Sequence, residues 1–203
     1  MQDTGWYDIY STVSTGALWL TEALCVHPAI PNIYAIQTLD SAKKATSLQK
    51  GLPQDRTEPL NVFIQVNTSG EELKSGLPPL SSSQENLHEA KVVALATHIL
   101  ENCPNLRLRG LMTIGSIEQS LASDIEPNRD FETLIRTAGI LESILSDRVA
   151  EAGKWGGPDG RLELSMGMSA DFESAIKVGA STVRVGTGIF GSRETKEEIK
   201  QHV

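Results

Sequence analysis

The run Leu162-Glu163-Leu164-Ser165-Met166-Gly167-Met168-Ser169-Ala170-Asp171-Phe172, followed by Thr182-Val183-Arg184-Val185-Gly186-Thr187-Gly188-Ile189-Phe190-Gly191, decides the fold. Leu162 to Ser165 reads as a short strand turning at Gly167. Asp171 to Val178 reads as a short helix with Phe172, Ala175 and Ile176 inward, ended by Gly179. Thr182 to Val185 reads as the next strand. A strand, a helix and a second strand with no hairpin dipeptide between them form a crossover unit, and such units make parallel sheets.

Towards the amino terminus the same alternation repeats. Ile33-Tyr34-Ala35-Ile36-Gln37 is β-prone and precedes Asp40-Ser41, either of which can cap a helix bearing Ala42, Ala45 and Leu48 and stopping at Gly51. Asn61 to Val66 is a strand. Leu87, Ala90, Val93, Ala94 and Leu100 recur at helical spacing, and Leu106 to Met112 is a third strand ending at Thr113. Phe131, Leu134, Ile135, Ala138, Leu141, Leu145 and Val149 make the strongest helical stripe, and Glu194 to Val203 reads as a charged terminal helix. The five strands end in Gln37-Thr38, Asn67-Thr68-Ser69-Gly70, Thr113, the Ser165 to Ser169 turn and Gly186-Thr187-Gly188. Parallel α/β folds hold ligands at the carboxyl ends of their strands, where these polar residues collect.

The chain has 203 residues, a length for one domain, with 39% hydrophobic and 22% charged residues. That composition is globular and excludes a disordered or fibrous chain. The net charge of −8 argues against a general nucleic-acid binder, which needs basic residues to neutralise phosphates. Cys25 and Cys103 match neither a disulfide framework nor a zinc spacing and read as reduced thiols. His27, His88, His98 and His202 have no metal-ligand spacing. The apolar stretch within residues 16–29 is interrupted by Glu22 and lacks a basic lead, so no signal peptide, membrane span or membrane partner is expected. The expected location is cytoplasmic.

Gly186-Thr187-Gly188 ends a strand with residues that let the backbone approach a ligand and aim N–H groups at it, and the Thr187 hydroxyl adds a donor. It is a candidate phosphate cradle, though neither a Walker loop nor a dinucleotide fingerprint. Arg184 alternates with Val183 and Val185, so it is either a barrel-interior arginine satisfied by a carboxylate or a ligand contact. Ser165 and Ser169 stand at a strand-to-helix turn and can donate to a phosphate, while Ser169 could equally cap the helix. Without a Gly-x-Ser-x-Gly elbow, Ser165 is no hydrolase nucleophile. Glu71, Glu72 and Lys74 read as a solvated loop.

Asn61 to Gly76, Leu108 to Gly115 and Leu164 to Arg193 together resemble the pyridoxal phosphate homeostasis protein family (YggS/PROSC), over about Pro31 to Arg193. Leu-Ser-Met-Gly-Met-Ser-x-Asp and Val-Arg-Val-Gly-Thr-x-Ile-Phe-Gly are its specific motifs. The resemblance implies a TIM-type (β/α) barrel like the amino-terminal domain of alanine racemase, binding pyridoxal 5′-phosphate without established turnover. It also implies roles: Arg184 faces the pyridine nitrogen, and Gly186 and Thr187, with Ser165 and either Met166 or Ser169, hold the phosphate.

One departure stands out. The family begins with a strand carrying Val-Ser-Lys-Thr-Lys, whose first lysine forms the Schiff base, followed by Phe-Gly-Glu-Asn and His-Phe-Ile-Gly strands. None of these occurs here, and residues 1–30 match no part of the pattern. The expectation is therefore an incomplete barrel over residues 31–203, amino-terminally truncated, with about five of eight βα units. Its function would be that of a non-catalytic cofactor carrier or buffer holding pyridoxal phosphate non-covalently at best. An alanine-racemase-like isomerase would need the absent lysine and an opposing base such as tyrosine. An inactive truncated product is the third reading. Protein partners and oligomeric state are not specified by the sequence.

Overall fold

The structure is a computed structural model that describes residues 33–53, 56–83, 85–122, 126–148 and 155–191. The strands are β1 (Ala35–Leu39), β2 (Leu60–Gln65), β3 (Leu106–Met112), β4 (Glu163–Met168) and β5 (Thr182–Arg184). The helices are α1 (Ala42–Gly51), α2 (Lys91–Asn102), α3 (Ile117–Ala122), α4 (Arg129–Arg148), α5 (Phe172–Lys177) and the single turn α6 (Thr187–Phe190). All neighbouring strands pair in parallel, in the order β1-β2-β3-β4-β5. Sequential order with crossover helices is that of a TIM-type α/β barrel, here incomplete.

One face of the sheet carries the main apolar core. Val62 and Ile64 of β2 and Leu106 and Leu108 of β3 join Val92, Val93, Ala96 and Ile99 of α2 and Leu134, Leu141 and Leu145 of α4. Every residue of β2 is buried, as expected of a strand covered on both faces. Side chains alternate along a strand, so Asn61, Arg107 and Arg109 face away from that core. The second face is thus largely polar, and it holds the sites described below.

Local chemistry explains where the elements begin. The Ser41 hydroxyl accepts the Lys44 N–H and starts α1, whose buried positions are Ala45 and Leu48; Ala42 is exposed. The first strand lies two residues later than its β-prone run suggests. The Ile33 carbonyl is taken by Arg56 and the Tyr34 carbonyl by the Asn61 amide, so neither joins the ladder, and buried Leu39 extends the strand instead. Helix α2 likewise starts later than expected. Leu87 lies in a 3-10 turn and Ala90 is extended, with φ −61° and ψ 138°, so the buried stripe becomes Val92, Val93, Leu95, Ala96 and Ile99, with Ala94 outside.

Strand β4 continues through Gly167 to Met168 rather than turning there. Gly167 has φ +92°, and a Cβ on it would come within 2.5 Å of the Ala175 Cβ, so α5 packs on a strand position that only glycine suits. In α5 only Ala175 is buried, and Ile176 is exposed, because six residues give the helix too little length to bury a stripe. Helix α4 buries Phe131, Leu134, Ala138, Leu141 and Leu145 as expected but leaves Ile135 partly in solvent. Val149, the Glu194 to Val203 helix, Cys25 and the residues 1–30 segment lie outside the described residues. Cys103 is a buried free thiol whose pKa burial pushes up, which makes it inert.

Candidate cofactor site at the carboxyl ends of the strands

All five strands contribute a group to one polar network at their carboxyl ends. Arg184 ends β5 and is 9% exposed. Its Nη1 donates to the Ser165 hydroxyl of β4 at 2.7 Å, and its Nη2 donates to the Thr113 carbonyl beyond β3, also at 2.7 Å. Ser165 in turn donates its proton to Gln37 Oε1 of β1 at 2.7 Å. The Thr113 hydroxyl donates to the Val66 carbonyl after β2 at 2.9 Å and meets the Thr68 hydroxyl at 2.8 Å. Ser165 and Thr113 are fully buried, so these are short bonds in a low-dielectric interior, where a guanidinium's bonds are strongest.

The network gives the sequence-predicted residues distinct positions. Ser165 is committed to Gln37 and Arg184, and its hydroxyl locks the guanidinium in place. The Met166 side chain is wholly buried in the apolar core. Ser169 does not cap α5; its hydroxyl oxygen accepts the N–H groups of Gly186 and Gly188, at 3.1 and 3.2 Å. Asp171 Oδ1 instead accepts the Met168 N–H and ties the turn at 2.6 Å. The Ser169 hydroxyl proton remains free of those two bonds and can donate outward. Gly186, Thr187 and Gly188 are exposed, and a Cβ on Gly186 would meet nothing within 4 Å. The structure therefore brings Ser169, Gly186 and Thr187 to one open rim next to Arg184, and sets Ser165 beneath it.

Three members of the network, Gln37, Thr68 and Thr113, were placed at the polar strand ends from sequence but given no individual role there. The available signal was their place as polar residues at strand ends. Lys74, read above as part of a solvated loop, is a correction. Its ammonium pairs with Glu71 at 2.6 Å and donates to the Gly115 carbonyl at 3.0 Å, fastening the loop after β2 to the loop after β3. Lys74's hydrogen bond, and then its charge, hold the Glu71 carboxyl below its ordinary value.

A phosphate-bearing group fits this donor set: the hydroxyls of Ser169 and Thr187 at an open rim, beside a fixed cation. A covalent lysine link does not fit the strands. None of β1 to β5 carries a lysine, and Lys44 of α1 is paired with Asp40. Among the described residues no cluster of three metal-ligating side chains occurs, and no helix is long and apolar enough to cross a membrane.

Sequential parallel βα units with a polar constellation at the strand carboxyl ends define a protein of the barrel-type α/β class with a candidate ligand site at those ends. The chain belongs to the alanine racemase N-terminal domain family, whose model matches residues 26–194. It is 42% identical over 171 residues to the human pyridoxal phosphate homeostasis protein, covering 82% of this chain and 53% of that protein. The protein of the same name in Schizosaccharomyces pombe is 42% identical over 175 residues, covering 86% of this chain and 62% of that one. The chain thus spans between half and two thirds of the length of these relatives. Among solved structures, an unknown protein from Bifidobacterium adolescentis is similar with TM-score 0.52 and 33% identity, over 77% of this chain and 52% of that chain. PipY of Synechococcus elongatus PCC7942, solved with PLP bound, shares the fold with TM-score 0.57 and 23% identity, over 84% of this chain and 66% of that chain.

Proposed function

We propose that this chain binds pyridoxal 5′-phosphate without a covalent link and serves cofactor homeostasis as a carrier or buffer, with no catalytic turnover. The observation that carries the reading is Arg184, held across β3 and β4 by Thr113 and Ser165 directly beneath the Gly186-Thr187-Gly188 rim. The names of the relatives at 42% identity support the same cofactor.

In this reading the Thr187 and Ser169 hydroxyls hold the phosphate, Gly186 leaves open space for its approach and fixes the Ser169 oxygen through its N–H, and Arg184 meets the pyridine nitrogen. Ser165 acts through Arg184, and Met166 contributes backbone only. When bound, the cofactor supplies an electron sink. The Arg184 guanidinium, which stays charged and accepts no proton, leaves the ring nitrogen unprotonated and weakens that sink. Gln37 accepts the Ser165 proton and so turns the Ser165 lone pairs toward Arg184, which fixes the guanidinium's direction. The same reading places the chain in the cytosol without a membrane partner, and the net charge of −8 disfavours nucleic acid as a partner. An isomerase would need a strand lysine and an opposing base, and Tyr34, the tyrosine among the described residues, lies at the other end of the sheet.

Titration of the chain with pyridoxal 5′-phosphate, followed by borohydride reduction and peptide mapping, tests the proposal. The expected result is saturable binding with no lysine modified stoichiometrically. Absence of saturable binding, or one fully modified lysine within residues 31–193, overturns it.

A further inference from the structure

The amino-terminal end of the sheet, opposite the strand-end rim, contains a cavity of about 340 Å³ between Tyr34, Arg56, Glu58, Asn61, Arg107 and Arg109. That size is at the lower end of the roughly 300–1,000 Å³ range of small-molecule pockets. Arg107 and Arg109 alternate with the core residues Leu106 and Leu108, so their side chains leave the core face and enter this end. Their Nε atoms are both buried and both without a hydrogen-bond partner. Arg109 gives an Nη to Glu163 at 2.5 Å. The Arg107 side chain has no hydrogen bond or ion pair with any described residue. Arg56 spends its donors on the Glu58 and Ile33 carbonyls and has no carboxylate at ion-pair distance among the described residues.

A buried guanidinium N–H is a strong donor that proteins rarely leave unmet. The Nε–H and the neighbouring Nη–H form a planar fork that matches the two oxygens of a carboxylate or phosphate. Three guanidinium groups and one carboxylate, that of Glu58, line the cavity, while Glu163 and, behind it, Asp159 act on Arg109 from outside the lining. Ile33, Pro59 and the half-exposed ring of Tyr34 supply an apolar wall beside it. We propose that this cavity is a second ligand site, distinct from the strand-end rim. It takes a small organic anion whose carboxylate or phosphate lies against Arg107 and Arg109 and whose body rests on Tyr34. The proposal is independent of the cofactor reading, since the two sites share no residue.

The test is a titration of the isotopically labelled chain with benzoate and, separately, phenyl phosphate at constant ionic strength, read by the arginine Nε–H resonances and backbone amides. The expected result is a saturable shift of the Arg107 and Arg109 Nε–H signals with at least one of the two anions, while the Gly186 and Gly188 amides stay in place. The anion that saturates identifies the head group. Arg107→Gln should weaken binding at least tenfold, whereas the charge control Arg136→Gln, on the exposed face of α4, should leave it unchanged. If Arg107→Gln does not fold, Arg107→Lys, which keeps the charge and loses the fork, should show the same loss. No saturable shift, movement of the Gly186 and Gly188 amides in place of the arginines, or equal loss in Arg136→Gln overturns the proposal.

Discussion

At the scale of single residues, Arg184 is the group on which the site turns. A guanidinium 9% exposed is tolerated because its donors meet a hydroxyl and a carbonyl at 2.7 Å. The rim above it is open, so binding there depends on donors contributed to the ligand rather than on burial. Thr187→Val removes one hydroxyl that would donate to a charged phosphate, and it should weaken cofactor binding by about 1.5–3 kcal/mol. Equal affinities of the two chains by titration would remove Thr187 from the site. Glu71 gives a pH prediction. Its carboxyl is held below 4.5 by Lys74, so the tie is fully present above 4.5 and is lost as pH falls through the lowered value. The Glu71 side-chain carbon signal should therefore titrate below 4.5, and a midpoint at or above 4.5 would contradict the pairing.

At the scale of elements, the close approach of β3 and β4 is the most sensitive joint. Gly110 pairs with Glu163, and a Cβ on Gly110 would lie 1.9 Å from the Glu163 carbonyl oxygen. No backbone adjustment at a paired position relieves such an overlap without separating the strands. Gly110→Ala should cost at least ~3 kcal/mol, the upper end of overpacking penalties. It should also displace Ser165 from Thr113 and thereby loosen Arg184. Chemical denaturation checks the first effect and cofactor titration the second; wild-type stability in the variant would mean the strands do not approach as described. The Leu106 to Met112 strand was readable because apolar residues alternate with Arg107 and Arg109. The glycine's purpose was not, since nothing local says which strand lies beside it.

For the whole molecule, the described sheet has two edges, β1 and β5. A closed parallel barrel has none, and an open edge is a template for pairing with another chain. Apolar side chains next to the β5 edge, Ile189 at 68% and Phe190 at 86% exposed, add to the tendency. The chain should therefore self-associate or unfold at low temperature, even with a net charge of −8 opposing association. Sedimentation and thermal unfolding decide this: a monodisperse monomer with one sharp, reversible transition would show that both edges are covered.

The alternation of strand and helix, the parallel sense of the sheet and the gathering of polar residues at strand ends were all determined by the sequence alone. They follow from periodicity and turn chemistry within some twenty residues of chain. Element starts were less secure, because Arg56 and Asn61 claim the Ile33 and Tyr34 carbonyls from outside the local run. The bonds that make the site were decided only by the tertiary structure. Gln37 meets Ser165 across 128 residues and Arg184 meets the Thr113 carbonyl across 71, so both depend on strand order and register. The arginine cavity is of the same kind. Arg56 and Arg107 belong to no motif in the sequence, and they share a cavity only because β2 and β3 lie side by side in parallel, bringing their amino ends together.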